Sequence, residues 1–220
     1  MNSFDLLVSL KHAGYLRDGC EKMWWPNAGS FEVVAGSVLT QQTKWDNVEI
    51  SLTNLKKHSL LSLEALSEAD EYLLRALMQK CGFSGQKASR LIMLSKNIIN
   101  DFEDFETFQK EVGKEWLLAQ KGLGHESADA ILCYACLKPV MVIDSYTNRL
   151  LKSYGYEFER YEDIQEWFYD GILSSWDKTM QLYDDDIDET TLWARYHGKI
   201  VEFCKENLRG KNSILNILDI

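Results

Sequence analysis

Four groups of residues in this chain have the type and spacing to do chemistry. The first is the turn Gly122-Leu123-Gly124, set between two apolar helical stretches inside the segment Glu115 to Asp144. Two glycines around one aliphatic residue let the backbone take φ > 0 and leave amides uncovered by side chains. A helix starts directly afterwards, so those amides and its N-terminus point the same way and suit a phosphate. The second is Asp144, one carboxylate at the end of a short apolar run. Kept ionised, it could stabilise a developing positive charge or orient and deprotonate a water. It could equally be an N-cap for the helix starting near Ser145. The third is a set of aromatics, Trp24-Trp25-Pro26 and Lys44-Trp45. Aromatic faces attract cations and stack on flat bases, each effect on the order of 1–3 kcal/mol. Tryptophans in a helical protein also fill cores, and Trp116, Trp167, Trp176 and Trp193 are assigned there. The fourth is Lys199, which shares an apolar stripe with Leu192, Tyr196 and Phe203. Either its stem packs and its ammonium reaches water, or it is a buried amine. A buried amine would need a carboxylate partner, neutralisation or a covalent modification.

The elements that must position these groups are all helices. Only two prolines occur, β-branched alternation is rare and 3.6-residue periodicity dominates, which predicts an all-α fold. The pattern predicts helices over Phe4 to Tyr15, Ser30 to Leu39, from Trp45, and over Leu63 to Ala69. Ser67-Glu68-Ala69-Asp70 resembles a capping box that opens Glu71 to Gln79. Gly82-Phe83-Ser84-Gly85 reads as a turn before a helix Gln86 to Ile99, followed by Phe102 to Val112. After Asp144 come Tyr146 to Tyr154, Tyr161 to Leu173, Asp177 to Tyr183 and Thr190 to Leu208. The tail from Lys211 carries no assigned role.

Bulk properties narrow the function classes. With 220 residues and 45% hydrophobic content the chain can bury a sizeable core, as one large domain or two lobes. The N-terminus lacks a basic start and a long apolar core, and no apolar run could span a bilayer, so a soluble cytoplasmic protein is expected. Five cysteines, scattered and odd in number, argue against a disulfide framework, and Cys133 and Cys136 read as small buried residues. A net charge of −10 argues against coating DNA by bulk charge, though not against binding through a few amides and cations. The acidic run Asp184, Asp185, Asp186, Asp188, Glu189 lacks the register of a calcium loop and reads as a solvated turn that caps the next helix.

With these parts in order, the chain resembles the helix-hairpin-helix DNA glycosylase superfamily of endonuclease III, from about Trp24 to Lys205. The segment Leu118 to Ala130 is similar to its hairpin and Val142-Ile143-Asp144 to its catalytic aspartate segment. Leu39-Thr40-Gln41-Gln42-Thr43 is similar to its L-x-Q-x-T segment, and Gly82-Phe83 with Gln86-Lys87-Ala88 to its G-aromatic-x-x-x-K-A segment. The aromatics, with Ala194 to Phe203, resemble the 3-methyladenine DNA glycosylase III branch. Two departures matter. Members that also cut the backbone carry a lysine two residues after the second hairpin glycine. Here Glu126 holds that place, 18 residues before Asp144. A carboxylate cannot form the Schiff base that the lyase reaction needs. Many members also hold an iron–sulfur cluster on four C-terminal cysteines, whereas only Cys204 follows Cys136 here, so no cluster or other cofactor is expected.

The resemblance implies two helical lobes, 28–138 with the hairpin at about 115–136, and 1–27 plus 139–220, with the active site in the cleft between them. It implies a bacterial base-excision repair enzyme, monofunctional, acting as a monomer on double-stranded DNA with alkylated bases. In this reading Asp144 is catalytic. Trp24 and Trp45 stack on the flipped base, Trp25 and Pro26 shape the pocket, and Glu126 and Lys205 line it. Gly122 and Gly124, with Lys121 nearby, hold a phosphate, and Gln41 enters the gap left by the base. The hairpin carbonyls of 119–124 would also hold a monovalent cation, and no other metal is implied. The alternatives are a superfamily glycosylase for oxidised or mismatched bases, a hairpin module without catalysis, and an acidic helical interaction protein.

Overall fold

The computed structural model describes residues 1–16, 22–184 and 186–207. Cys20, Asp185, Leu208 and the tail from Lys211 lie outside the described residues. Among these, thirteen α-helices and no strand occur: α1 Ser3–His12, α2 Phe31–Leu39, α3 Trp45–Lys57, α4 Leu63–Ser67, α5 Glu71–Leu77, α6 Ser84–Phe102, α7 Phe105–Glu111, α8 Lys114–Ala119, α9 His125–Ala130, α10 Ser145–Ser153, α11 Tyr161–Leu173, α12 Trp176–Leu182 and α13 Glu189–Asn207. A 3-10 turn, Gln79–Cys81, follows α5, and a π turn, Ile131–Ala135, continues α9. The chain divides into two compact units, Asn27–Lys138 and Met1–Pro26 with the chain from Pro139 on.

Local chemistry sets most helix ends. Asn2 and Asp5 form a reciprocal capping box on α1. Asp70 caps α5 by accepting from the Leu73 amide at 2.8 Å, so the cap expected from Ser67 is supplied by Asp70 instead. Predicted and observed boundaries differ most around Phe102. The helix begun at Ser84 runs on to Phe102, is stopped by Glu103 at φ +69, and restarts behind the Asp104 cap. Phe102 therefore ends one helix and does not open the next. The acidic run behaves as a cap: Asp188 accepts from the Thr191 amide and hydroxyl, both at 2.8 Å.

In the unit Asn27–Lys138, α2 is buried at Phe31 and from Val33 through Leu39, as its largely apolar sequence requires, with Glu32 of its first turn only half-buried. It packs on α3 and on the π turn, while α6 lies against α4, α5 and α7. Phe102, Phe108 and Trp116 meet edge to face at 5.0–5.8 Å between ring centroids. Trp116 is thus core-facing and its indole N–H donates to Asp101 at 2.8 Å. The described cysteines are buried thiols, and burial pushes Cys136 up to about 12.

The other unit is built around α13. Leu192, Trp193, Tyr196, Ile200 and Phe203 pack with Leu6, Leu7 and Leu10 of α1, Leu150 and Leu151 of α10, and Ile164, Phe168 and Ile172 of α11. Trp167 and Trp176 border this core. Helices α1 and α11 touch closely at Gly171, where an added Cβ would lie 2.2 Å from Ser3 Oγ and 2.8 Å from the Ser3 backbone nitrogen. An alanine in a helix interior normally gains about 0.5–1 kcal/mol over glycine. At Gly171 the α1 backbone must move to admit it, so Gly171→Ala is expected to lose about 1–3 kcal/mol in urea unfolding.

Candidate active site

The hairpin lies in the unit Asn27–Lys138. Helix α8 ends at Ala119, the Leu123 amide closes a turn on the Gln120 carbonyl at 3.2 Å, and Gly124 caps α9. Gly122 takes φ +86, and an added Cβ there would meet the Arg90 guanidinium at 2.2 Å. Gly124 is at φ −107 in extended backbone, so the positive φ that the glycine pair permits is used at Gly122. Gly124 leaves open space where a Cβ would lie. Lys121, Gly122, Gly124 and Glu126 are exposed, so this loop faces solvent. Behind it Lys114 pairs with the fully buried Asp129 at 2.9 Å and ties α8 to α9.

The segment Thr40–Thr43 is tied to the same loop. Gln41 Nε2 donates to the Gly122 carbonyl at 2.9 Å and to Ser127 Oγ at 3.0 Å, while Arg90 donates to Gln41 Oε1 at 3.0 Å. Beneath it lies Lys87, 2% exposed, whose Nζ donates to the carbonyls of Leu39, Gln41 and Cys81 and to Thr43 Oγ1 at 2.7–2.9 Å. It places a cation at the C-terminus of α2, where the helix dipole favours one. Burial, the largest influence, lowers the Lys87 pKa. In the sequence Lys87 stands only inside a motif, and Arg90 is only a basic residue near a helix start. Their anchoring roles come from contacts more than 40 residues apart in sequence. Phe83 also went unnoticed as a surface feature: it is 64% exposed, held at φ +46 and followed directly by α6. Gln42 is exposed at φ +53, and Trp45, half-buried, opens α3.

Asp144 is positioned from the other unit. The run Val140 to Ile143 is not helical, and α11 satisfies its backbone. Tyr169 OH and Tyr161 OH accept from the Met141 and Ile143 amides at 3.1 Å, and Gln165 donates to the Met141 carbonyl at 2.7 Å. Asp144 then caps α10, its Oδ1 accepting from the Thr147 amide at 2.8 Å and the Thr147 hydroxyl at 2.9 Å. Its Oδ2 lies 3.7 Å from His197 Nε2. Burial by itself would raise the Asp144 carboxyl. His197 and the two Thr147 donors outweigh it and hold the pKa below the ordinary carboxylate value.

Trp24 lies along α13 in this unit. It sits at φ +65, its indole N–H donates to Glu202 at 3.2 Å, and its ring leaves no room for a Cβ at Gly198. Lys205 pairs with Glu202 at 3.0 Å and holds its ammonium 5.8 Å from the Trp24 ring centre. Trp25, 8% exposed, meets Trp24 edge to face, while Pro26 is exposed. Lys199 is 1% exposed and donates to the Tyr15 carbonyl. Its ammonium does not reach water, which overturns the reading of a stem-packed, solvated head and leaves the buried amine. Among the described residues no group of three His, Cys, Asp or Glu side chains converges as a metal site would require.

A Gly-Leu-Gly hairpin with an ionised, helix-capping aspartate downstream defines the class of helix-hairpin-helix glycosylases that excise bases from DNA. The family of HhH-GPD superfamily base excision DNA repair proteins matches residues 35–168, and the chain belongs to it. A Methanocaldococcus jannaschii protein placed among the DNA repair glycosylases is 34% identical over 195 residues, 86% of this chain and 82% of its own. The crystal structure of Helicobacter pylori 3-methyladenine DNA glycosylase (MagIII), bound to 1,N6-ethenoadenine, is 44% identical with a TM-score of 0.91. The match covers 96% of this chain and all of that one. A trapped endonuclease III–DNA covalent intermediate shares the fold, with a TM-score of 0.72 at 14% identity over 97% of this chain and 91% of that one.

The Lys87 cluster gives a direct test. Lys87→Met keeps the stem and removes the donor from four acceptors, so a loss of about 2–4 kcal/mol is expected in chemical denaturation.

Proposed function

We propose that the chain is a monofunctional DNA glycosylase that flips an alkylated purine out of double-stranded DNA and hydrolyses its N-glycosidic bond, with 3-methyladenine the foremost substrate. The observation that carries this is the Asp144 carboxylate: ionised, with Oδ1 spent on the α10 cap and Oδ2 turned away from it. The similarity to a 3-methyladenine glycosylase over nearly the whole chain supports the substrate class. N3-alkylation makes adenine cationic and weakens its bond to the sugar, so the base can leave without being protonated. The remaining work is to stabilise the oxocarbenium-like sugar and to orient the attacking water. A fixed negative charge does the first by electrostatics and the second by accepting the water's proton.

The other residues take supporting roles in this reading. Trp24 and Trp45 supply aromatic faces for the flat cationic base, with Trp25 and Pro26 shaping the surroundings of Trp24. Glu126 contacts the base, and Lys205 reaches the base or a phosphate. The amides of Gly122 and Gly124, with Lys121, hold the DNA backbone. Gln41 enters the gap left by the flipped base, exchanging its bonds to Gly122, Ser127 and Arg90 for bonds to DNA. The carbonyl oxygens of 119–124 suit a hard monovalent cation, although Gln120 and Gly122 each already accept one hydrogen bond. Bound there, such an ion would help to neutralise a DNA phosphate.

Asp144→Asn keeps a good N-cap but loses the charge. Base release from methylated duplex DNA should fall by about 100-fold or more, with DNA affinity retained. Loss of affinity in step with activity would instead assign Asp144 to folding. Glu126 in place of the lysine removes the amine needed for strand cutting. Borohydride added to the protein on abasic DNA should therefore trap no covalent adduct. A trapped adduct would show that another lysine performs the lyase step.

A further inference from the structure

Asp144 Oδ2 faces one side chain whose part in the reaction the preceding reading leaves unassigned. His197 lies on α13, with its side chain 5% exposed against 13% for Asp144, and its Nε2 is 3.7 Å from Oδ2. The imidazole is held in place from its other side. Its ring meets Trp24 edge to face, with centroids 5.3 Å apart and planes at 88°. Trp24 in turn is locked against Gly198 and bonded to Glu202. The imidazole therefore stands between the reactive carboxylate oxygen and the aromatic ring assigned to the base. The imidazole is buried while Asp144 and Trp24 on either side of it are half-buried, which leaves the ring itself few alternative positions.

We propose that His197 is a positioning residue for the glycosylase reaction, aiming Asp144 Oδ2 and registering it against Trp24. This rests on the assignment of Asp144 as the catalytic carboxylate. Oδ1 cannot serve, because the α10 cap already takes two hydrogen bonds there. A carboxylate this enclosed would tend to take up a proton unless donors favour the charged form. His197 stands on the Oδ2 side and the Thr147 donors on the Oδ1 side, and both contribute to its lowered pKa. The other titratable groups at this place are the Cys204 thiol on α13 and, from α10, Arg149, which acts on that thiol. Burial first, and then the Asp144 charge, raise Cys204 to about 12. The Glu202–Lys205 pair flanks Trp24 on its own side.

Two variants separate positioning from packing. His197→Phe keeps a ring against Trp24 but removes the nitrogen, while His197→Gln returns an amide N–H at similar reach. Three quantities are measured: single-turnover release of alkylated purine from methylated duplex, affinity for that duplex, and the Asp144 carboxyl titration followed by carbon NMR in the free protein. His197→Phe should slow release by about tenfold or more at unchanged DNA affinity, with the carboxyl midpoint moved upward. His197→Gln should recover most of both. Equal losses in the two variants, or an unmoved carboxyl midpoint in His197→Phe, would overturn the proposal. If the native chain releases no alkylated purine, the proposed substrate class fails, and the carboxyl titration alone still decides whether His197 controls Asp144.

Discussion

The two oxygens of Asp144 carry different duties, and the rest of its unit is arranged to keep them apart. Oδ1 closes the N-terminus of α10 through Thr147, and this bond orients the carboxylate. The preceding residues arrive as a buried non-helical run, which would cost several unpaired backbone groups without the hydroxyls of Tyr161 and Tyr169 and the amide of Gln165. Helix α11 therefore sets the path of the backbone that delivers Asp144. The result is a charged group kept ionised in a confined place, the condition under which electrostatic stabilisation of a cationic sugar is strongest.

The hairpin unit solves a complementary problem with uncharged groups and few cations. A chain with net charge −10 cannot attract DNA by its overall field. In the proposed function the exposed loop around the left-handed Gly122 would hold a phosphate without depending on that field. Arg90, Gln41 and Gly122 form one connected set, and Lys87 anchors the same segment from below. The buried ammonium of Lys87 shares its three N–H donors among four acceptors where the chain turns out of α2, so the surface loop bearing Gln41 and Gln42 has a rigid base.

Much of this was legible in the sequence because it rests on local pattern. The helical periodicity, the Gly-Leu-Gly turn and its distance to Asp144 are short-range or fixed-spacing features. Of the two readings of Asp144, the cap is observed, and because it uses Oδ1 it does not exclude the proposed role for Oδ2. What escaped was tertiary. Nothing near His197 in sequence marks it as facing Asp144, more than 50 residues away. The break between two helices is legible in the sequence, but it falls at Glu103, a little later than the pattern places it, because Phe102 fits the periodicity of either helix. GxG spacing alone does not say which glycine takes the left-handed turn and which the extended cap; the structure gives the turn to Gly122 and the cap to Gly124. Lys199 was ambiguous for a similar reason, since a lysine on an apolar stripe reads the same whether or not its end finds a buried carbonyl.

The central claim is that an ionised Asp144 meets a positively charged sugar. Its most direct test is to compare binding of the native chain to two duplexes that differ in one abasic-site analogue, a cationic pyrrolidine or a neutral tetrahydrofuran. An analogue of the charged transition state should bind more tightly, here by about tenfold or more, and the preference should vanish in Asp144→Asn. Equal affinity for the two duplexes in the native chain would contradict the claim.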